Sequence, residues 1–207
     1  DVYYLKATDE HLAVAAADCT GHGVPGAFVS MLGISFLNEV TRKQEVRSAA
    51  QVLEYLRDKV KTSLKQTKGS KVRDGMDIAL CIINTGTNLL QFAGAYNPLY
   101  LIRNNELIEI KATRTPIGFS TREKAFQNHE TALKNNDRLY MLSDGYTDQF
   151  NGEGRRFSRR KFKQLLTEIS DRSFAEQKQI LDETMEAWKN GKKQTDDVLV
   201  VGIRISA

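Results

Sequence analysis

Four aspartates stand where an apolar run meets a turn. Asp1 opens the first run. Asp18 closes the run Leu12-Ala13-Val14-Ala15-Ala16-Ala17, Asp144 follows the short apolar segment 138–142, and Asp196 precedes the last one. Strand ends are where stiff backbone meets open space, so carboxylates placed there can converge. Converging carboxylates repel, and burial without a cation forces some of them to bind protons. An oxygen-only donor set suits a hard cation such as Mg²⁺ or Mn²⁺. Two such ions side by side acidify a shared water and clamp a phosphoryl group for in-line attack. The same residues have a plainer reading. Aspartate at a strand–turn junction is a common turn former or cap, and Asp-Gly is a frequent turn dipeptide. Pattern alone leaves cap and ligand open for each of them.

The elements that must position these groups follow from periodicity. Residues 1–6 and 12–17 read as two strands of a hairpin. Residues 24–42 carry a broad apolar helical stripe that includes Phe28, Met31, Leu37 and Val40, with Pro25 in the first turn. That breadth predicts a helix lying flat on a sheet, with Phe28 and Met31 in the core. A second helix is predicted over 48–65, with Ser48 as its N-cap, then a polar loop over 66–74. Segments 76–84, 89–93, 99–103, 106–110, 125–133 and 138–142 form a block of strands. Asn104-Asn105 suits a tight hairpin turn. A glycine- and arginine-rich loop at 151–160 precedes two helices, 161–169 and 174–188, and a final strand over 198–205. Helices and strands segregated in this way predict an α+β fold with mainly antiparallel sheets.

Bulk composition excludes several classes. The 207 residues carry 30 Lys and Arg against 26 Asp and Glu, and apolar and charged fractions of 41% and 27% are those of an ordinary globular domain. The Lys and Arg residues in 61–73 and 155–161 lack interleaved aromatics, so no nucleic-acid partner is expected. No stretch approaches the ~18 apolar residues of a membrane helix, and no signal-peptide pattern is present. Membrane contact by the domain itself is therefore not expected. Cys19 and Cys81 read as free thiols in a reducing compartment. The three scattered histidines offer no zinc spacing.

Six blocks then occur in one order: Asp18-Cys19-Thr20-Gly21-His22-Gly23-Val24-Pro25-Gly26-Ala27-Phe28, Asp74-Gly75-Met76-Asp77, Ala93-Gly94-Ala95-Tyr96-Asn97-Pro98, Pro116-Ile117-Gly118, Leu142-Ser143-Asp144-Gly145-Tyr146-Thr147-Asp148 and Thr195-Asp196-Asp197. Together they resemble the SpoIIE-type branch of the PPM family, metal-dependent serine/threonine phosphatases similar to protein phosphatase 2C. The resemblance spans nearly the whole chain. It implies an α-β-β-α sandwich of two mainly antiparallel sheets flanked by helices, in one domain over 1–207.

The resemblance also implies a division of labour. Asp18 would bridge two Mn²⁺ or Mg²⁺ ions, and Cys19 would offer its main-chain carbonyl to one of them. Asp144 and Asp196 would hold the other ion, with Asp197 the less favoured of the final pair. Asp1 would be the first-motif aspartate. Metal-bound hydroxide would attack phosphoserine or phosphothreonine on a bacterial regulatory protein of the STAS, anti-sigma-antagonist type. His22 is either a general acid or a buttress of the Gly21–Gly23 turn, and Asn97 either lines the site or forms a turn. Asp74 and Asp77 read as structural. Gly94-Ala95-Tyr96-Asn97 stands where the animal branch has Gly-Asp-Ser-Arg, so a third metal of that kind is not implied. The family context implies a fragment of a longer chain with an N-terminal sensor region, in the cytoplasm or as the cytoplasmic part of a membrane-anchored sensor, and leaves a homodimer open. The competing reading is a regulatory pseudophosphatase that binds a phosphoprotein without turnover.

Overall fold

The structure, a computed structural model, describes residues 1–21, 23–41, 48–68 and 74–206. Strand β1 (Val2–Ala7) turns into β2 (His11–Cys19), followed by helices α1 (Gly23–Val40) and α2 (Ala49–Ser63). Six strands come next: β3 (Met76–Asn84), β4 (Leu89–Ala95), β5 (Leu99–Arg103), β6 (Glu106–Ile110), β7 (His129–Ala132) and β8 (Arg138–Leu142). A single turn, α3 (Gly145–Asp148), leads to α4 (Arg159–Ile169), α5 (Phe174–Lys189) and β9 (Val200–Arg204).

The strands form two antiparallel sheets, ordered β1-β2-β3-β4-β7 and β6-β5-β8-β9. Side chains alternate along each strand, so each sheet has two apolar faces to cover. Val14, Ala16, Ala79, Cys81, Leu99, Leu139 and Met141 fill the space between the sheets. The outer face of the first sheet packs Ala15, Ala17, Ile78 and Leu80 under α1 and α2 through Val29, Leu37, Leu53 and Leu56. The outer face of the second packs Tyr100 and Tyr140 under α4 and α5 through Phe162, Leu166 and Leu181. This is the α-β-β-α sandwich expected.

Local signals behave as their chemistry requires. The Ser48 hydroxyl accepts from the Gln51 amide at 3.2 Å and caps α2. Asn104 and Asn105 both take positive φ, 51° and 63°, which turns β5 into β6 in two residues. Ser173 and Glu176 form a reciprocal capping box that starts α5.

Two expectations fail at α1. It buries Gly26, Val29, Gly33, Leu37 and Val40, a stripe at helical spacing, and turns its other apolar side outward. Phe28 is 62% exposed and Met31 68%, so neither is core. Small residues explain the choice of face: a Cβ on Gly33 would come within 2.6 Å of the Met76 side chain, so the glycine stripe permits closer approach than the bulkier one. The helix is also, by length and composition, apolar enough to cross a membrane, with a mean hydropathy of 1.3. The expectation that no such stretch exists is corrected; glycine and alanine contribute to the hydropathy of a helix whose larger apolar residues are divided between two faces. The 66–74 loop lies partly outside the described residues. Its first residue is fixed, with the Gln66 carboxamide oxygen accepting from the Phe119 amide at 2.8 Å.

Candidate metal centre

At one end of the sandwich the strands of both sheets stop around a cavity of about 610 Å³. Asp1, Asp18, Cys19, Asp77, Asp144, Asp196 and Asp197 line it, with Thr20, Gly21, Gln194 and Thr195. Five separate segments supply the carboxylates. β2 runs through to Cys19, so Asp18 is a strand residue five positions before the start of α1 and not its cap. Asp144 stands before α3, but its side chain makes no capping hydrogen bond. The cap reading, open in the sequence, therefore does not describe either residue.

The loops that carry these groups are tied to each other. The Thr20 amide donates to the Gly75 carbonyl at 2.9 Å, and the Gly75 amide donates back to the Thr20 hydroxyl at 3.2 Å. Gly145 is the tightest point. A Cβ there would lie 1.9 Å from the Asp197 carbonyl oxygen, so only glycine lets the Asp144 turn rest on the Asp196-Asp197 segment. Ser143 completes that seam: its amide donates to the Leu199 carbonyl at 3.0 Å and its hydroxyl accepts from the Leu199 amide at 3.1 Å. Behind them the fully buried Gln149 accepts from the Thr195 amide at 3.0 Å and donates to the Lys193 carbonyl at 3.2 Å.

The electrostatics are unfavourable for a group of bare carboxylates. Burial, then the charges of Asp144, Asp196 and Asp77, push the Asp18 carboxyl up to about 6. Burial and Asp144 push Asp77 up to about 7, against the opposing charge of Arg159. Asp144 is also raised, by burial and then by Asp148 and Asp196, while a hydrogen bond with Asp18 partly offsets this. The Asp1 side chain is only 10% exposed, yet its Oδ2 has no hydrogen-bond partner. A buried polar oxygen left unpaired costs about 1–3 kcal/mol or more when charged. Among the described residues no three His, Cys, Asp or Glu side chains close around a single point. The groups ring a shared space instead. An oxygen-only ring with an orphaned carboxylate oxygen and a shared excess of negative charge fits hard divalent cations.

Of the residues singled out in the sequence, Asp1, Asp18, Cys19, Asp144, Asp196 and Asp197 share the cavity. The Cys19 side chain points the other way, into the core under α1, where burial raises its thiol. Only its main chain is available to the cavity. His22 lies outside the described residues. Asn97 does not line the cavity; it is 4% exposed and its Nδ2 donates to the Asp77 carbonyl at 3.3 Å. Asp77 and Gln149 were not singled out as site residues. The signal for Asp77 was available, since antiparallel neighbours β2 and β3 must place the end of one beside the start of the other. Nothing in the sequence marks Gln149.

Two stacked antiparallel sheets between helix layers, with an acidic cavity at one sheet end, define a PP2C-type phosphatase domain. The comparisons agree. The family model for Stage II sporulation protein E (SpoIIE) matches residues 8–206, and the chain belongs to that family. The SiaA-PP2C domain of Pseudomonas aeruginosa is similar at 26% identity and a TM-score of 0.89, over 99% of this chain and 80% of that one. The PP2C phosphatase domain of Bacillus subtilis SpoIIE, solved with a fragment of its regulatory domain, shares the fold at 20% identity and a TM-score of 0.77, over 99% of this chain and 56% of that one. RsbX in complex with magnesium shares it at 12% identity and a TM-score of 0.65, over 97% and 84%. No curated protein sequence matches the chain.

Proposed function

We propose that this domain removes phosphate from phosphoserine or phosphothreonine on a bacterial regulatory protein of the STAS, anti-sigma-antagonist type, using two Mn²⁺ or Mg²⁺ ions. The observation that carries the reading is the convergence of aspartates from five segments on one cavity, with a buried Asp1 oxygen left without a partner. Asp18 and the main-chain carbonyl of Cys19 would help to hold both ions. Asp144 and Asp196 would hold one ion, with Asp197 next to them, and Asp1 would serve directly or through water. When bound, the ions neutralise the phosphoryl charge and acidify the attacking water. The protein's part is to hold the carboxylates in place before substrate arrives, through the Gly145 contact, the Ser143 seam and the Gln149 bonds. Such pre-set geometry is what makes electrostatic stabilisation effective. The same reading places the domain in the cytoplasm, downstream of a sensor segment in a longer chain, with a homodimer as one assembly it allows.

The test is release of phosphate from phosphoserine and phosphothreonine peptides with Mn²⁺ or Mg²⁺. Activity is expected with either metal and none in excess EDTA. Full activity in EDTA would contradict the mechanism. Phosphopeptide binding without turnover at saturating Mn²⁺ would assign the regulatory pseudophosphatase instead.

A further inference from the structure

Asp77, the last residue of the second sequence block, is the carboxylate in the cavity to which the resemblance gives no metal role. It stands near the start of β3, and the antiparallel register sets it directly opposite Asp18. Alternation along the two strands puts Asp18 in line with Val14 and Ala16, and Asp77 in line with Ala79 and Cys81. Those residues belong to the core between the sheets, so both core rows end in a carboxylate. Like charges directly opposite on neighbouring strands destabilise the pairing. A cation partner from the chain would relieve this, but among the described residues Asp77 has no ion pair. Arg159 opposes its charge without bonding to it. Asp77 instead faces the cavity with Asp18 and Asp144. Its backbone is held from behind by the buried Asn97 amide at 3.3 Å, which fixes where the carboxylate stands.

A second observation at the same cavity points to a ligand. The Asp1 side chain, nine-tenths buried, brings an unpartnered Oδ2 to the space that Asp77 lines. The protein has thus placed more anionic oxygen around this space than its own donors satisfy.

We propose that Asp77 is an additional metal-holding carboxylate of this site, taking a hard divalent cation directly or through a bound water in the space it shares with Asp18 and Asp144. The inference rests on the metal-dependent reading of the cavity and adds a position to it. It also gives Asn97 a purpose: Asn97 is a positioning residue that acts through the Asp77 backbone.

The test titrates Mn²⁺ into the purified chain and counts bound ions by electron paramagnetic resonance, with no substrate present. Wild type, Asp77→Asn, Asp77→Ser and Asp18→Asn are compared, and each is melted in EDTA to establish that it folds. Asp77→Asn should weaken Mn²⁺ binding about 10- to 100-fold, the scale seen when a group that supports a metal is lost. It should also melt higher than wild type in EDTA, because a like-charge pair is gone. Asp77→Ser, which is smaller, gives the same comparison if the amide is not accommodated. A Mn²⁺ isotherm for a folded Asp77 variant that superimposes on wild type, while Asp18→Asn loses binding, would overturn the inference and leave the phosphatase reading standing. A wild-type chain that binds no Mn²⁺ would overturn both.

Discussion

The two ends of the sandwich use the same residue for opposite purposes. At the end away from the cavity, Asp137 is almost fully buried beside β8. Its Oδ1 accepts from Arg103 Nε at 2.9 Å, and its Oδ2 accepts from Arg103 NH2 at 2.6 Å and from the Lys134 amide at 2.8 Å. Burial alone would raise this carboxyl, but the Arg103 hydrogen bond and the Lys134 amide reverse the effect and hold it below its ordinary value. At the other end, Asp18, Asp77 and Asp144 are raised, and Asp1 keeps an orphaned oxygen. One end has supplied its cation from the chain; at the other, among the described residues, Asp18, Asp77 and Asp144 have no ion pair, and only Asp197 is paired, with the Asp1 amino group. Buried charge is tolerated when it is paired, so the unpaired end is where function is to be sought.

Four changes break or sharpen this contrast. The largest effect belongs to Asp18→Asn. Phosphate release should fall about a thousand-fold or more, several kcal/mol of transition-state stabilisation, while circular dichroism shows the fold retained. Asp137→Ala should do the reverse. It strips Arg103 of its partner and should cost about 3 kcal/mol in urea unfolding, with Mn²⁺ affinity of the folded protein unchanged. Gly145→Ala comes next, since its methyl would collide with the Asp197 carbonyl. A loss of about 1–3 kcal/mol is expected from overpacking, and Mn²⁺ affinity should fall with it as Asp144 parts from Asp196.

The smallest effect is a pH trend with opposite signs at the two ends. A carboxyl raised in the fold contributes stability below its unfolded value near 3.8, and loses it as pH rises through its folded value, about 6 for Asp18 and about 7 for Asp77. A carboxyl lowered in the fold, as Asp137 is, contributes above 3.8 and loses that only in stronger acid. Of these carboxyls, only those at the cavity end titrate between pH 8 and pH 5. The metal-free protein should therefore melt higher at pH 5 than at pH 8, and saturating Mn²⁺ should remove that trend. A melting temperature that falls steadily on acidification in EDTA would contradict the assignment.

Much of the site was legible because it sits where strands end. Asp18 and Asp144 each follow an apolar run and have a glycine within the next three residues, and that signal needs no knowledge of the fold. Asp77 was harder to see. It stands inside a strand pattern, and its importance comes from register, which pairs residue 18 with residue 77 across strands far apart in sequence. Gln149 was not legible at all, since its bonds to Lys193 and Thr195 join segments that only the fold brings together. The α1 stripe misled for a related reason. Phe28 and Met31 are as apolar as Val29 and Leu37, and only the close approach at Gly33 decides which side meets the sheet.

The central claim is that the acidic end is built to hold divalent cations. Isothermal titration of Mn²⁺ into the EDTA-treated, dialysed wild-type chain at neutral pH tests it most directly. The account predicts saturable binding of about two ions per chain, the pair expected of a phosphoryl-clamping centre. A flat titration, with no heat beyond dilution, would contradict it.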